Sequence, residues 1–382
     1  DEDYAGSTLA LDFTTFTNVL GTYNDITITQ VEPSGFDFDT DAEGWQYSGV
    51  VAPYAAPTGA HNATDGTLDI TATSNTDNFG FWYSPIDAIP ELLADNLYRI
   101  RFGVKSDQAD KSLVPTFRVR FNSSNFKQGD FVMVNSNDAG DASPDTTVVD
   151  YDLYLRPQNE ALVATGLLSF DMINLNPSDS ATAKIALDYV QIDKKAVADL
   201  GTSSTVVSYT FDFDQEGWTN SPAIAPFDQP IFTYNDLEGY LQMQCDGSNN
   251  TYGFWENVQD EITLNNAVLY QLRVKAGSDA NVIAKVLQEE PPLMRIRMYD
   301  HPTNQMVRLY QTPVWTAFEE PPAAKVGAVS FADNYVYFVN NLGVGPYLGI
   351  GVDIVNLDVD ESPTGIVAFT EVELTTYAIP TF

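Results

Sequence analysis

The residues of this chain whose spacing could do chemistry are carboxylates in a phrase that occurs twice. Phe36-Asp37-Phe38-Asp39 continues through Asp41 and Glu43, and Phe211-Asp212-Phe213-Asp214 continues through Glu216. Read as strands, both phrases put the phenylalanines on one face and the aspartates on the other. Asp37, Asp39, Asp212 and Asp214 then present pairs of hard oxygen ligands, the donor type that calcium takes. In so acidic a chain the same pairs also read as solvated strand faces.

Arginine is the second candidate. Seven of the nine arginines, Arg99, Arg101, Arg118, Arg120, Arg273, Arg295 and Arg297, lie in alternating segments. Within each pair the spacing of two puts both side chains on one sheet face. Two readings stay open. Arg101, Arg120, Arg273 and Arg297 could form a glycan-binding face beside Trp82 and Trp255, with guanidinium forks meeting sugar hydroxyls and indoles stacking on sugar rings. The arginines could instead pair with the protein's own carboxylates across neighbouring strands.

Other chemistries find little support. Two histidines and one cysteine, Cys245, make no zinc constellation, no Cys-His pair and no disulfide. Nucleophile-elbow, P-loop and dinucleotide-binding signatures do not occur, so the chain is expected not to be an enzyme. With 18 basic against 53 acidic residues and a formal charge of −35, it would repel nucleic acid and anionic membranes. No apolar run is long enough to span a bilayer, so no membrane insertion is expected. The opening Asp1-Glu2-Asp3 reads as a mature start after signal-peptide removal, which predicts an extracellular or cell-surface location.

The elements that would position these residues are legible as an internal repeat. Glu43-Gly44-Trp45 recurs as Glu216-Gly217-Trp218, and Gly80-Phe81-Trp82 recurs as Gly253-Phe254-Trp255. Tyr98-Arg99-Ile100-Arg101 matches Tyr270-Gln271-Leu272-Arg273, and Phe117-Arg118-Val119-Arg120 matches Met294-Arg295-Ile296-Arg297. Apolar and polar residues alternate over runs of four to eight, broken by Asn, Asp, Gly and Pro clusters. These patterns predict an all-β chain of two tandem antiparallel β-sandwich modules with jelly-roll topology. Module one is expected at 34–196, a linker at 197–206 and module two at 207–382, with an N-terminal β arm over 1–33.

The Phe-Asp-Phe-Asp…Glu-Gly-Trp opening, the Gly-Phe-Trp strand, the Tyr-x-hydrophobic-Arg strand and the alternating last strand resemble those of carbohydrate-binding-module-like (galactose-binding-like) jelly rolls of secreted bacterial proteins. That resemblance implies glycan binding or one structural calcium, the calcium also taking a carboxylate on the last strand, here Asp188. Thr370 and Glu371 occupy that region in module two and depart from the pattern.

Two functions follow. The leading expectation is a self-assembling subunit of an extracellular filament, sheath or surface layer. The alternating Leu9, Leu11 and Phe13 of the arm would complete a neighbour's sheet and grow a homopolymer. The alternative is a secreted protein that binds polysaccharide through two carbohydrate-binding-module-like domains.

Overall fold

Alternation of apolar and polar residues builds strands that bury one face and wet the other. In the computed structural model this pattern runs almost without helix among the described residues. The structure describes residues 34–50, 54–74, 78–85, 93, 95–110, 113–122, 131–133, 146–156, 167–174, 180–248, 250–265, 267–279, 293–300, 305–313, 330–339, 347–356 and 363–382. The arm, with Leu9, Leu11 and Phe13, lies outside the described residues.

The first half contains β1 (Ser34–Phe36), β2 (Gln46–Tyr47), β3 (Thr58–Asn62), β4 (Thr67–Thr71), β5 (Asn78–Tyr83) and β6 (Asn96–Ser106). It continues with β7 (Thr116–Asn122), β8 (Phe131–Met133), β9 (Val149–Leu155), β10 (Leu167–Asn174) and β11 (Lys184–Ala196). The second half contains β12 (Ser204–Tyr209), β13 (Thr219–Asn220), β14 (Ile231–Asn235), β15 (Tyr240–Gln244), β16 (Thr251–Thr263) and β17 (Val268–Ser278). It closes with β18 (Leu293–Asp300), β19 (Gln305–Pro313), β20 (Ser330–Val339), β21 (Tyr347–Asn356) and β22 (Ile366–Ala378).

The two sets correspond strand for strand. β11 lies between β4 and β6 and also takes β1, as β22 lies between β15 and β17 and takes β12. β10 lies between β5 and β7, as β21 lies between β16 and β18. All of these ladders are antiparallel, so the fold is an all-β pair of two-layer sandwiches. Ser204–Val206, expected in the linker, are already strand because β12 pairs with β22.

The halves do not stop at a connector. β9 pairs antiparallel with β20 at Tyr154 and Tyr337, and β8 pairs antiparallel with β19 through Phe131–Met133 and Leu309–Gln311. The longer, twelve-stranded sheet therefore runs β14-β15-β22-β17-β20-β9-β6-β11-β4-β3 with β1 on β11 and β12 on β22, and the other, ten-stranded, runs β13-β16-β21-β18-β19-β8-β7-β10-β5-β2. Each half contributes the equivalent edge, so the junction has the local form of a two-fold interface within one chain.

A single apolar core passes through both halves, from Phe38, Trp45 and Phe170 to Trp218, Val352 and Phe369. A second cluster, Leu97, Tyr154, Leu200, Leu269, Tyr337 and Val339, seals the junction on the outer side of the longer sheet. The 3-10 turn Val197–Asp199 and the C-terminal end meet this cluster. Phe382 lies 6.1 Å from Tyr154, with the Arg99 guanidinium 4.7 Å over its ring, and Lys195 Nζ donates to the Thr381 carbonyl at 3.1 Å.

Candidate functional sites: the acidic turns and the outer aromatic face

The Phe-Asp-Phe-Asp phrases are not strands. β1 ends at Phe36, and the chain turns with Phe38 at φ 57° and Glu43 at φ 46°, values matched by Phe211 at 56° and Glu216 at 46°. Both halves keep these left-handed residues 173 positions apart, so Phe38 corresponds to Phe211, Asp39 to Asp212 and Asp41 to Asp214. The match of Asp37 to Asp212 read from the sequence is two residues out of register; Thr210 takes the place of Asp37.

The carboxylates of these turns accept hydrogen bonds from backbone. Asp37 Oδ1 accepts from Asp39 N at 3.1 Å, Asp41 Oδ1 from Glu43 N at 2.6 Å, and Glu43 Oε2 from Asp37 N at 3.1 Å. In the second turn Asp214 Oδ1 accepts from Glu216 N at 2.7 Å and Glu216 Oε2 from Thr210 N at 2.8 Å. Asp212 Oδ2 accepts from Thr210 Oγ1 at 2.9 Å. His61 Nε2 lies 2.8 Å from the Phe38 carbonyl, and Tyr234 Oη donates to the Phe211 carbonyl at 2.9 Å, so each left-handed turn is pinned from the adjacent hairpin. A cavity of about 460 Å³ lies beside the second turn, lined by Asp214, Glu216, Trp218 and Tyr234 among others.

Asp188 sits at a β-bulge, the unpaired residue between Leu187 and Tyr189, and Thr370 is the unpaired residue at the matching bulge of β22. A bulge re-aims its side chain. Burial, and then the charges of Asp39, Asp150 and Asp65, hold the Asp188 carboxyl above its ordinary range, against the pull of Lys105. Burial and the neighbouring Asp37 likewise raise Glu43. Thr370 Oγ1 donates to the Gly239 carbonyl at 2.7 Å, so the second half has no carboxylate at this bulge. Thus Asp39 and Asp188 share one electrostatic neighbourhood. Among the described residues no group of three or more His, Cys, Asp or Glu side chains has the geometry to hold a metal ion.

The indoles proposed as sugar platforms belong to the core. Trp82 and Trp255 are 6% and 3% exposed, and their Nε1 atoms donate at 3.1 Å to the Asp69 and Gln242 carbonyls of the opposite sheet. A buried indole offers no face to a ligand, and these two tie the layers together. Arg101 and Arg273 lie on the other sheet, so the expected Trp and Arg constellation does not assemble.

In the repeated strands Arg99, Arg101, Arg118 and Arg273 meet acids on neighbouring strands. Arg101 Nε lies 3.2 Å from Asp152, and Arg99 Nη2 lies 2.5 Å from Asp193. Arg273 reaches Asp333 at 2.7 Å and Glu371 at 3.0 Å. Register makes Arg99 and Asp193, and Arg101 and Asp152, direct cross-strand partners. Burial opposes the charge on Arg101 and Arg273, but Asp152 and Asp333 outweigh it and raise both guanidinium pKa values. Arg120 and Arg297 lie in β7 and β18, and their side chains are outside the described residues.

With Trp82 turned inward, its neighbours turn outward. Phe79, Phe81 and Tyr83 form a ladder on the outer face of β5, with ring centroids 5.7 and 6.1 Å apart, and Tyr54 meets Phe79 at 5.8 Å. The Arg118 guanidinium lies 5.3 Å over Phe79, and its Nε is 2.5 Å from the buried Asp171. The second half repeats two rungs of the face on β16, with Glu256 in the place of Tyr83: Tyr252 lies 6.3 Å from Phe254 and 5.4 Å from Phe227. Register sets Arg295 opposite Asp353 as it sets Arg118 opposite Asp171. Phe79, Tyr83, Tyr252 and Phe254 are half-buried, whereas Phe81, between the first two, is buried at 4% exposure, so Phe79 and Tyr83 are the rungs of the first ladder that solvent reaches. This face was missed in the sequence although its signal, aromatics at every second position, was present.

No family model matches the chain, and no curated protein does. Among solved structures it is similar to the CBM22-1–CBM22-2 tandem domain of Paenibacillus barcinonensis Xyn10C. The identity is 14%, covering 90% of this chain and 97% of that one, with a TM-score of 0.26. The family 11 carbohydrate-binding module of the cellulosomal cellulase Lic26A-Cel5E of Clostridium thermocellum matches at 13% identity over 43% of this chain and 95% of that one, with a TM-score of 0.28. The ANX1 ectodomain of Arabidopsis thaliana matches at 9% identity over 82% of this chain and 83% of that one, with a TM-score of 0.26.

Proposed function

We propose that this chain is a non-catalytic extracellular protein that binds polysaccharide on the outer face of its ten-stranded sheet. The observation that carries this reading is the pair of aromatic faces on β5 and β16, the first of them beside the ion-paired Arg118. Sugar rings present C–H faces that pack on aromatic side chains, while their hydroxyls need fixed polar partners such as the Arg118 guanidinium, which the buried Asp171 holds in place. Two such faces in one rigid body let a polymer engage both at once, raising avidity without new contacts. The net charge of −35 favours a neutral glycan over an acidic one.

A polysaccharide array tests the proposal. Retention of neutral polymers that Tyr83→Ala and Phe254→Ala each weaken about tenfold is expected; equal retention by both variants counts against the face.

Although the described side chains form no cluster of three or more metal-ligating groups, a structural calcium of the first half would sit near Asp39 and Asp188, the two carboxylates that share one electrostatic neighbourhood. Excess EDTA is then expected to lower the melting temperature, and an unchanged melting curve removes the ion from the account. The filament reading draws on Leu9, Leu11 and Phe13, and no observation on the described residues favours it over the glycan face.

A further inference from the structure

The junction between the halves consumes one edge of each and leaves the opposite edges, β3 and β14, at the two ends of the longer sheet. Among the described strands β14 pairs with β15 alone. An open edge carries a row of unmet N–H and C=O groups, and proteins usually blunt it with charge or proline. Within β14, Ile231-Phe232-Thr233-Tyr234-Asn235, neither occurs; Pro230 and Asp236 stand only at its two ends.

The two ends differ at three equivalent positions. Ile231, Leu237 and Phe213 are 52%, 90% and 93% exposed. The residues 173 positions earlier are Thr58, Thr64 and Thr40, all exposed. Leu237 belongs to the β14–β15 turn, and Phe213 to the acidic turn packed against it, where a Cβ on Gly239 would lie 3.2 Å from the Phe211 carbonyl. The duplicated scaffold therefore carries large apolar side chains around one open edge and hydroxyls around the other.

We infer that this edge is the docking surface for a second copy of the chain, β14 against β14 about a two-fold axis. This surface is independent of the glycan face. The chain already joins equivalent edges antiparallel at its internal junction, and the second copy extends the same sheet by the same operation. With Thr233 of both copies at the axis, Ile231 faces Asn235 of the second copy, and Leu237 of that copy is its diagonal neighbour on the same face. Six large apolar side chains, at on the order of 150 Å² each, bring the interface to the ~1,000 Å² at which specific association begins. Because the apolar positions occur at β14 and not at β3, the contact is self-complementary and closes at a dimer.

Sedimentation of the full chain at about 0.15 M salt, where the screening length is ~8 Å, tests this. The mass is expected to rise with concentration from 42.0 kDa to twice that value and stop. The full chain with Ile231→Thr, Leu237→Thr and Phe213→Thr, which restores the residues of the first half, is expected to keep its melting temperature and dissociate about 100-fold more readily. A chain monomeric at every concentration, a triple variant that dimerises equally, or growth past the dimer overturns the inference. So does loss of association in the full chain with Leu11→Asp and Phe13→Asp, which would assign the surface to the N-terminal segment.

Discussion

Trp82 shows how one side chain settles what a strand does. Its indole crosses the sandwich to the Asp69 carbonyl, and that commits Phe79, Phe81 and Tyr83 to the outer face. Trp82→Phe leaves that carbonyl without its donor and a gap in the core, and is expected to cost about 1–3 kcal/mol in chemical denaturation. Tyr83→Ala at the surface is expected to cost less stability and more binding. Asp188 and Glu43 give a pH signature. Their pKa values are raised, so the folded chain takes up protons at a higher pH than the unfolded chain. The stability these groups withhold at neutral pH is regained as the pH falls through their folded values. Melting temperature is therefore expected to rise on mild acidification in EDTA, and Asp188→Asn to raise it at pH 7. Bound calcium reverses the first sign, because protons would then displace the ion.

At the level of elements, the repeat and the strands were legible because alternation and Glu-Gly-Trp punctuation survive duplication. The acidic phrase misled because Phe-x-Phe-x matches itself when shifted by two. Only the left-handed backbone at Phe38 and Phe211, invisible to alternation, fixes the register. The facing of Gly-Phe-Trp was illegible for a related reason: both residues are apolar, and period two does not say which face is inside. Gly239 tests the turn architecture. It sits at φ +65° against the Phe211 carbonyl, so Gly239→Ala is expected to cost about 1–2 kcal/mol, read from the denaturation midpoint.

For the whole molecule, the modular expectation of two sandwiches on a connector understated the coupling. Pairing between remote edges leaves no periodic trace in sequence, so the joining of β9 to β20 and β8 to β19 could not be read there. The core is continuous across the halves, and Phe382 closes on Arg99 and Tyr154 of the first half. Calorimetry is therefore expected to show one cooperative transition, with calorimetric and van't Hoff enthalpies in agreement. Two resolved transitions would mean that the halves unfold separately. Rigid coupling also bears on function, since it holds the two aromatic faces in one sheet at fixed spacing.

The most direct measurement of the binding claim is electrophoretic retardation in gels carrying neutral polysaccharide. Three full-length proteins would be compared: wild type, Tyr83→Ala with Phe254→Ala, and Arg101→Gln on the opposite sheet. The account predicts that wild type and Arg101→Gln are retarded alike and that the double variant runs freely. Retardation of the double variant equal to wild type, or loss only in Arg101→Gln, would contradict it.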